Sequence, residues 1–444
     1  MTNVKSVIEK SMKEIKNKGF KGQINVFSTE SKNASFSNGK LEQLTEGEKG
    51  AVGIKVISPD GRTATASSNI FTEEGIMQAV EKAIEMIKYT EKDDANDISN
   101  DEEFTYIDWA FDTDTKDMDL HEVMNLAKEL EKKAKSEDER IKFVRGAEYE
   151  VALTRIHFGN TNGLYKNALF TNAAGSISLA AIEGEDSSFG FDYQLSQSYR
   201  LIDIDRIVKD SVEMAVSGLK SEVLSSGRYD IVMSPFASSM FLETLITPLS
   251  GENVYKGKSF LKDKLGEKVA NLSVTLLHDP MNGSAPIIAS FDNEGTNTSR
   301  FNVIENGVLK GFLHNIYSAK KLGSKPTGNS FASVESPNPS IGTINLHFIA
   351  NKTRKDILNV PKALYVTNIM GMHTTDPVSG RFSVQISGRL IENGEFVRSF
   401  RGMTLAGTLE ELLNNLEYIG SDFKYLGPVA GSTMLIRDLS VGGR

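Results

Sequence analysis

Two stretches far apart in the chain, VIENGVLKG (Val303–Gly311) and LIENGEFVRS (Leu390–Ser399), set Asn-Gly between alternating apolar and polar residues. Asn-Gly tolerates the positive φ of a two-residue hairpin turn, so the flanking alternation is driven into antiparallel pairing. The pattern recurs. Asn38-Gly39 breaks SFSNGKLEQLTEG, Ser58–Gly61 separates AVGIKVI from RTATASS, and Asn160–Gly163 separates YEVALTRIHFGN from LYKNALFTNAAGSISLAAIEG. A chain punctuated in this way is rich in antiparallel sheet. The two opening stretches read as the same turn chemistry used twice rather than as an internal repeat.

Helical spacing interrupts the strands. Val4, Val7, Ile8, Met12 and Ile15 lie on one face of an N-terminal helix. Thr72 is placed to cap a second helix, whose positive end suits Glu73 and Glu74. Further helices are predicted over Met118–Lys135, Ile204–Leu219 and Leu409–Ile419, and one opens at Ser234-Pro235. A chain of 444 residues is too long for one core. The expected class is α+β: a small N-terminal α/β unit (1–90), an acidic linker (91–116), a central antiparallel meander with helices (117–225) and a large strand-rich C-terminal domain (226–444). In the stretch Glu91–Glu103 seven of thirteen residues are acidic, which predicts a solvated linker.

Composition excludes several functions. The formal net charge is −9 and no Lys/Arg block forms a basic face, which speaks against direct nucleic-acid binding. No cysteine is present, so disulfides, thiol catalysis and thiolate metal sites are out. No apolar run resembles a signal peptide or a membrane span, and the cytoplasm is the expected compartment. GSKPTGNS (Gly323–Ser330) has the glycine spacing of a phosphate-binding loop, but Asn329 stands where the lysine must be. No two of the six histidines lie within ten residues of each other, so no zinc helix is encoded locally. His278 beside Asp279 and His373 near Asp376 could form acid–base pairs, but both read better as polar turns at strand ends.

The stretch MFLETLITPLSG (Met240–Gly251) is an apolar helix carrying one carboxylate, Glu243, on a face shared with Met240 and Thr247. A buried unpaired carboxylate is costly, so that face is expected to meet water or a polar partner.

GFLHNIYSAKKLGSKPTGN, the long stretch from VTNIMGMHTTDPVSGRFS to NNLEYIG, and LIRDLSVGG near the C-terminus resemble the TldD/PmbA family, whose members are described as modulators of DNA gyrase and as a two-subunit protease. TldD-type subunits of that family bind zinc through a helix bearing His-Glu, three residues, then His, with a cysteine near the C-terminus. Anchored on KGKSFLKDKLGEKVA (Lys256–Ala270), the motif falls on Leu242–Thr247, with Glu243 at the glutamate position and Leu242 and Thr247 at the histidine positions. The resemblance is therefore to the PmbA/TldE-type subunit. It implies no metal in this chain and zinc in the partner only. It further implies a TldD-type partner subunit or a homodimer, an internal cavity, and unfolded peptide as substrate. Glu243, His314, Asn329, His373 and Asp376 are the candidate cavity residues. The alternative is a self-sufficient metallopeptidase or hydrolase built from dispersed histidines such as His278, His314 and His373.

Overall fold

A computed structural model describes residues 4–103, 105–107 and 109–444. Its architecture is mixed α+β. Six strands form the first sheet in the order β3-β2-β1-β4-β5-β6. They are β1 (Lys21–Ser37), β2 (Lys40–Ile57), β3 (Thr63–Ser68), β4 (Ile141–Asn160), β5 (Tyr165–Glu183) and β6 (Asp186–Ser196). Every neighbouring pair is antiparallel. The β1–β2 turn carries Asn38 at φ 50 and Gly39 at φ 84, the conformation that Asn-Gly tolerates. Because β1 pairs with β4 from Gln23↔Asn160 to Phe36↔Ala147, the N-terminal and central units share one layer.

Alternation along β1 decides what covers each face. Ile24, Val26, Ala34 and Phe36 point to the helices. There α1 (Val4–Asn17) and α2 (Glu73–Met86) pack at one end. At the other end lie α4 (Leu120–Glu137) and α5 (Ile204–Ser217), preceded by the short α3 (Thr113–Asp117). Thr72 Oγ1 accepts from Gly75 N, as the sequence predicts. The helix expected from Met118 begins instead at Leu120, because Asp119 and Glu122 form a reciprocal capping box. Gln23 and Asn25, on the other face, donate to the Asn293 carbonyl at 3.2 and 2.8 Å.

The C-terminal part contains a closed ring. β7 (Gly227–Met233), β14 (Lys362–Met370), β15 (Arg381–Glu392), β16 (Glu395–Thr408) and β20 (Met434–Gly442) pair in turn, β16 returns onto β20, and β17 (Leu416–Ile419) flanks β20. A second sheet has the order β10-β9-β8-β13-β19-β18. It comprises β8 (Leu276–His278), β9 (Phe301–Glu305), β10 (Val308–Leu309), β13 (Leu346–Phe348), β18 (Lys424–Leu426) and β19 (Val429–Gly431). A two-stranded ladder, β11 (Ser330–Phe331) with β12 (Ser340–Ile341), completes the set. The helices here are α6 (Pro235–Leu249), α7 (Gly251–Tyr255), α8 (Ile316–Lys321), α9 (Arg354–Leu358) and α10 (Leu409–Asn415). The helix expected over Leu409–Ile419 is therefore divided. Its last residues, Leu416–Ile419, leave the helix to pair with β20.

The acidic stretch is not a solvated linker. Ala95 and Ile98 are buried. Asp93 pairs with Lys321 at 2.7 Å and accepts from the Tyr317 hydroxyl at 2.9 Å, while Asp97 meets Lys21 at 2.8 Å. Ser99 Oγ donates to Gly295 O at 3.1 Å. The carboxylates are matched to donors on both the first sheet and the C-terminal domain, so the segment is an ordered strap between them.

Candidate functional site

Ser234 Oγ accepts from Ala237 N and Pro235 occupies the first turn, which fixes where α6 begins. Phe241, Leu242, Leu245 and Leu249 pack into the largest apolar core. Leu242 is only 1% exposed. Glu243 and Thr247, one turn apart, are exposed. Among the described residues no hydrogen bond or ion pair reaches Glu243, and the protein packed around it pushes its carboxyl above the ordinary carboxylate range. Tyr193 on β6 is near enough to feel that charge. Its phenol is pushed up to about 12, first by burial, then by Glu243 and Asp192.

Tyr193 belongs to a cleft of about 500 Å³ between β6 and α5 on one side and the C-terminal ring on the other. Phe191 meets Phe236, on the first turn of α6, edge-to-face at 4.6 Å between centroids. The walls are ionic. Arg206 pairs with Asp192 at 2.6 Å and with Asp210 at 3.2 Å, and Lys424 reaches both carboxylates from the C-terminal side. Arg389 on β15 bonds Glu213 on α5 at 2.9 Å. Arg354 on α9 donates to the Tyr365 hydroxyl at 3.4 Å. Arg354, Tyr365 and Arg389 escaped sequence reasoning because they lie on α9, β14 and β15, and only the closed ring brings them together.

The other expected cavity residues are placed differently. His278 is fully buried. Its Nδ1 faces Ser299 O at 3.1 Å and its Nε2 faces Asn329 Nδ2 at 3.1 Å. Nδ1–H therefore donates to the carbonyl and Nε2 accepts from the amide. Asn329 Nδ2 also donates to Gly342 O at 2.9 Å, and its Oδ1 accepts from Thr327 Oγ1 at 2.7 Å. His314 N donates to the same Thr327 oxygen at 2.7 Å, and its ring faces Ser318 Oγ at 3.1 Å. Burial holds both imidazoles down to about 4, so they are neutral near pH 7. His314 and Asn329, expected at a cavity wall, are thus interior residues whose polar atoms are spent on stapling loop 323–330 in place. Asp279 turns away from His278 to pair with Arg300 at 3.2 Å. His373 and Asp376 are exposed. Asp376 accepts from Val378 N, Ser379 N and Ser379 Oγ, and these bonds, the hydroxyl's first, hold its carboxyl low. Asp376 organises a turn.

Comparison with known proteins decides the family. The profile of the PmbA/TldA metallopeptidase C-terminal domain matches residues 226–443, that of domain 1 matches 24–87, and that of the central domain matches 113–219. The chain belongs to the PmbA/TldD family. Metalloprotease PmbA of Escherichia coli O157:H7 is 24% identical over 436 residues, covering 95% of this chain and 92% of that protein. A Thermotoga maritima protein proposed as a modulator of DNA gyrase has a crystal structure with TM-score 0.87 and 27% identity, over 98% of this chain and 99% of that one. TldE from Thermococcus kodakarensis shares the fold at TM-score 0.90 and 22% identity, over 98% of this chain and 100% of that one.

Metallopeptidases of the PmbA/TldD family raise the question of a metal on α6. The side chains of Leu242, Glu243 and Thr247 do not fit one. Leu242 offers only hydrocarbon and is inside the core, and the Thr247 hydroxyl is a weak donor for zinc. Among the described residues no three His, Asp or Glu side chains gather as a metal-binding group. No helix among them is long and apolar enough to cross a membrane.

Proposed function

We propose that this PmbA/TldD-family chain is the non-catalytic, TldE-type subunit of a two-component zinc metalloprotease that degrades or trims unfolded peptides. It contributes part of the wall of the substrate cavity, and a TldD-type sister carries the zinc. The observation behind this reading is the composition of α6 at the motif: Leu242 in the core, Glu243 without a hydrogen-bond or ion-pair partner among the described residues, and Thr247 exposed. A glutamate can take a proton from water, but a carboxylate alone does not lower the pKa of that water enough to make a nucleophile at neutral pH. Peptide would be held extended, through main-chain bonds to a sheet edge, which tolerates many sequences. The alternative hydrolase draws no support from His278 and His314, whose rings are interior and engaged.

The test is reconstitution. The chain is purified alone and together with a TldD-type relative from the same cell, and each sample is assayed for zinc and for cleavage of an unstructured peptide. Cleavage by the pair alone is expected. Robust, chelator-sensitive cleavage by this chain alone would overturn the proposal.

A further inference from the structure

The cleft between β6–α5 and the C-terminal ring holds four basic side chains, and two of them differ from the rest. Arg206 and Lys424 are each paired with both Asp192 and Asp210. Arg389 is not. Its guanidinium lies 3.7 Å from the centroid of Phe396, which fixes its plane. Its Nη2 donates to Glu213, while its buried Nε has no hydrogen-bond partner among the described residues. A buried donor left unpaired is costly. Arg354 is loosely held. Its Nε is 3.7 Å from Asp422, and the carboxylate of Asp422 is already taken by Thr433 N at 3.0 Å and Thr433 Oγ1 at 2.6 Å. Both arginines converge on Tyr365, one at its hydroxyl and the other 6.0 Å from its ring centroid.

We infer that this cleft is a binding site for the C-terminal carboxylate of a short apolar peptide, gripped by Arg389 and Arg354. Among the described residues no hydrogen bond is made by Nη1 of either arginine, and these two donors, on side chains that line the cleft, match one monoanion. A polyphosphate would face Asp192, Asp210, Glu213 and Asp422 in the same walls, and that repulsion selects against it. Phe191, Phe236 and Tyr193 supply the apolar surface for the last side chain of the peptide. That the carboxylate belongs to a peptide rests on the proposed function, because each cleavage by the sister subunit creates a new C-terminus. Recognition of a carboxylate by the two arginines does not rest on it. The site would retain or pass on products.

The test is calorimetric titration of the full chain, without a partner, with N-acetyl-Ala-Ala-Phe as the free acid, with its C-terminal amide, and with inorganic phosphate. The acid is expected to bind at least about tenfold more tightly than the amide, the value of one charge-assisted bond. Arg389→Gln and Arg354→Gln are each expected to erase that difference. Glu213→Gln, which removes the carboxylate competing for Arg389 and leaves the cations in place, should tighten the acid, and it remains informative if either arginine variant fails to fold. Equal affinity for acid and amide, no binding of the acid in the millimolar range, or tighter binding of phosphate would each overturn the assignment. No cleavage is read, so failure here is distinct from failure of the reconstitution.

Discussion

Asn329 Nδ2 donates to His278 Nε2 at 3.1 Å and to Gly342 O at 2.9 Å, so one side chain closes two buried acceptors. Asn329→Ala removes both bonds and the acceptor of Thr327. Buried acceptors left without donors predict a loss of about 2–4 kcal/mol, the cost of one to two such groups. The check is the shift in denaturant midpoint at unchanged slope.

The same network sets a pH dependence. Burial lowers His278 and His314 to about 4, whereas unfolded histidine titrates near pH 6.5. Between those values the unfolded chain binds more protons, so this contribution to stability is complete above the unfolded value and falls as pH drops from about 6.5 toward 4. Each histidine adds up to about 1.4 kcal/mol of loss per pH unit in that window. A carboxylate raised by the protein packed beside it, such as Glu243, acts with the opposite sign, so the comparison must be internal. His278→Gln should flatten the fall of unfolding free energy between pH 6.5 and 5 relative to the parent chain. An unchanged slope would mean that the ring is not held neutral.

Legibility from sequence followed the range of the interactions involved. Asn306-Gly307 and Asn393-Gly394 both take the positive φ values that their hairpins require, and Thr72 and Ser234 cap the helices they precede. These depend on a few adjacent residues. The strap Glu91–Glu103 was misread because its acidity resembles that of a solvated segment, and its partners Lys21 and Lys321 are decided only by tertiary packing. Asn329 and His314 were misread for the related reason that a Gly-rich polar loop looks exposed until its polar atoms are seen to bond one another. Glu243 lies on the exposed side of α6, and helical spacing alone separates it from Phe241 and Leu245.

Placing histidines at positions 242 and 247 of α6 should not create a metal site. Leu242 is in the core, so Leu242→His buries an imidazole among hydrocarbon and is predicted to cost about 3–5 kcal/mol, the range of large core losses with an added polar penalty. Thr247→His, on the exposed face, should change stability by less than about 0.5 kcal/mol. The double variant should carry no stoichiometric zinc. Thermal unfolding and elemental analysis of the three variants check both statements, and stoichiometric zinc with retained stability would refute them.

Lys55 on β2 pairs with Glu294 at 3.0 Å, both largely buried, and the second oxygen of Glu294 accepts from Ile316 N at 2.9 Å. This joins the first sheet to the C-terminal domain, beside the Asn293 carbonyl that Gln23 and Asn25 grip. Glu294→Gln keeps an acceptor for Ile316 but leaves Lys55 as an uncompensated buried charge, and is predicted to cost about 3–5 kcal/mol. Replacing both partners, Lys55→Met with Glu294→Gln, removes the stranded charge and should recover most of that loss, because an ion pair taken out whole is far cheaper than one cut in half. Denaturant unfolding of the two variants measures the difference. A double variant no more stable than Glu294→Gln would show that the attraction itself, rather than the avoided burial of a lone ammonium, holds the two layers together.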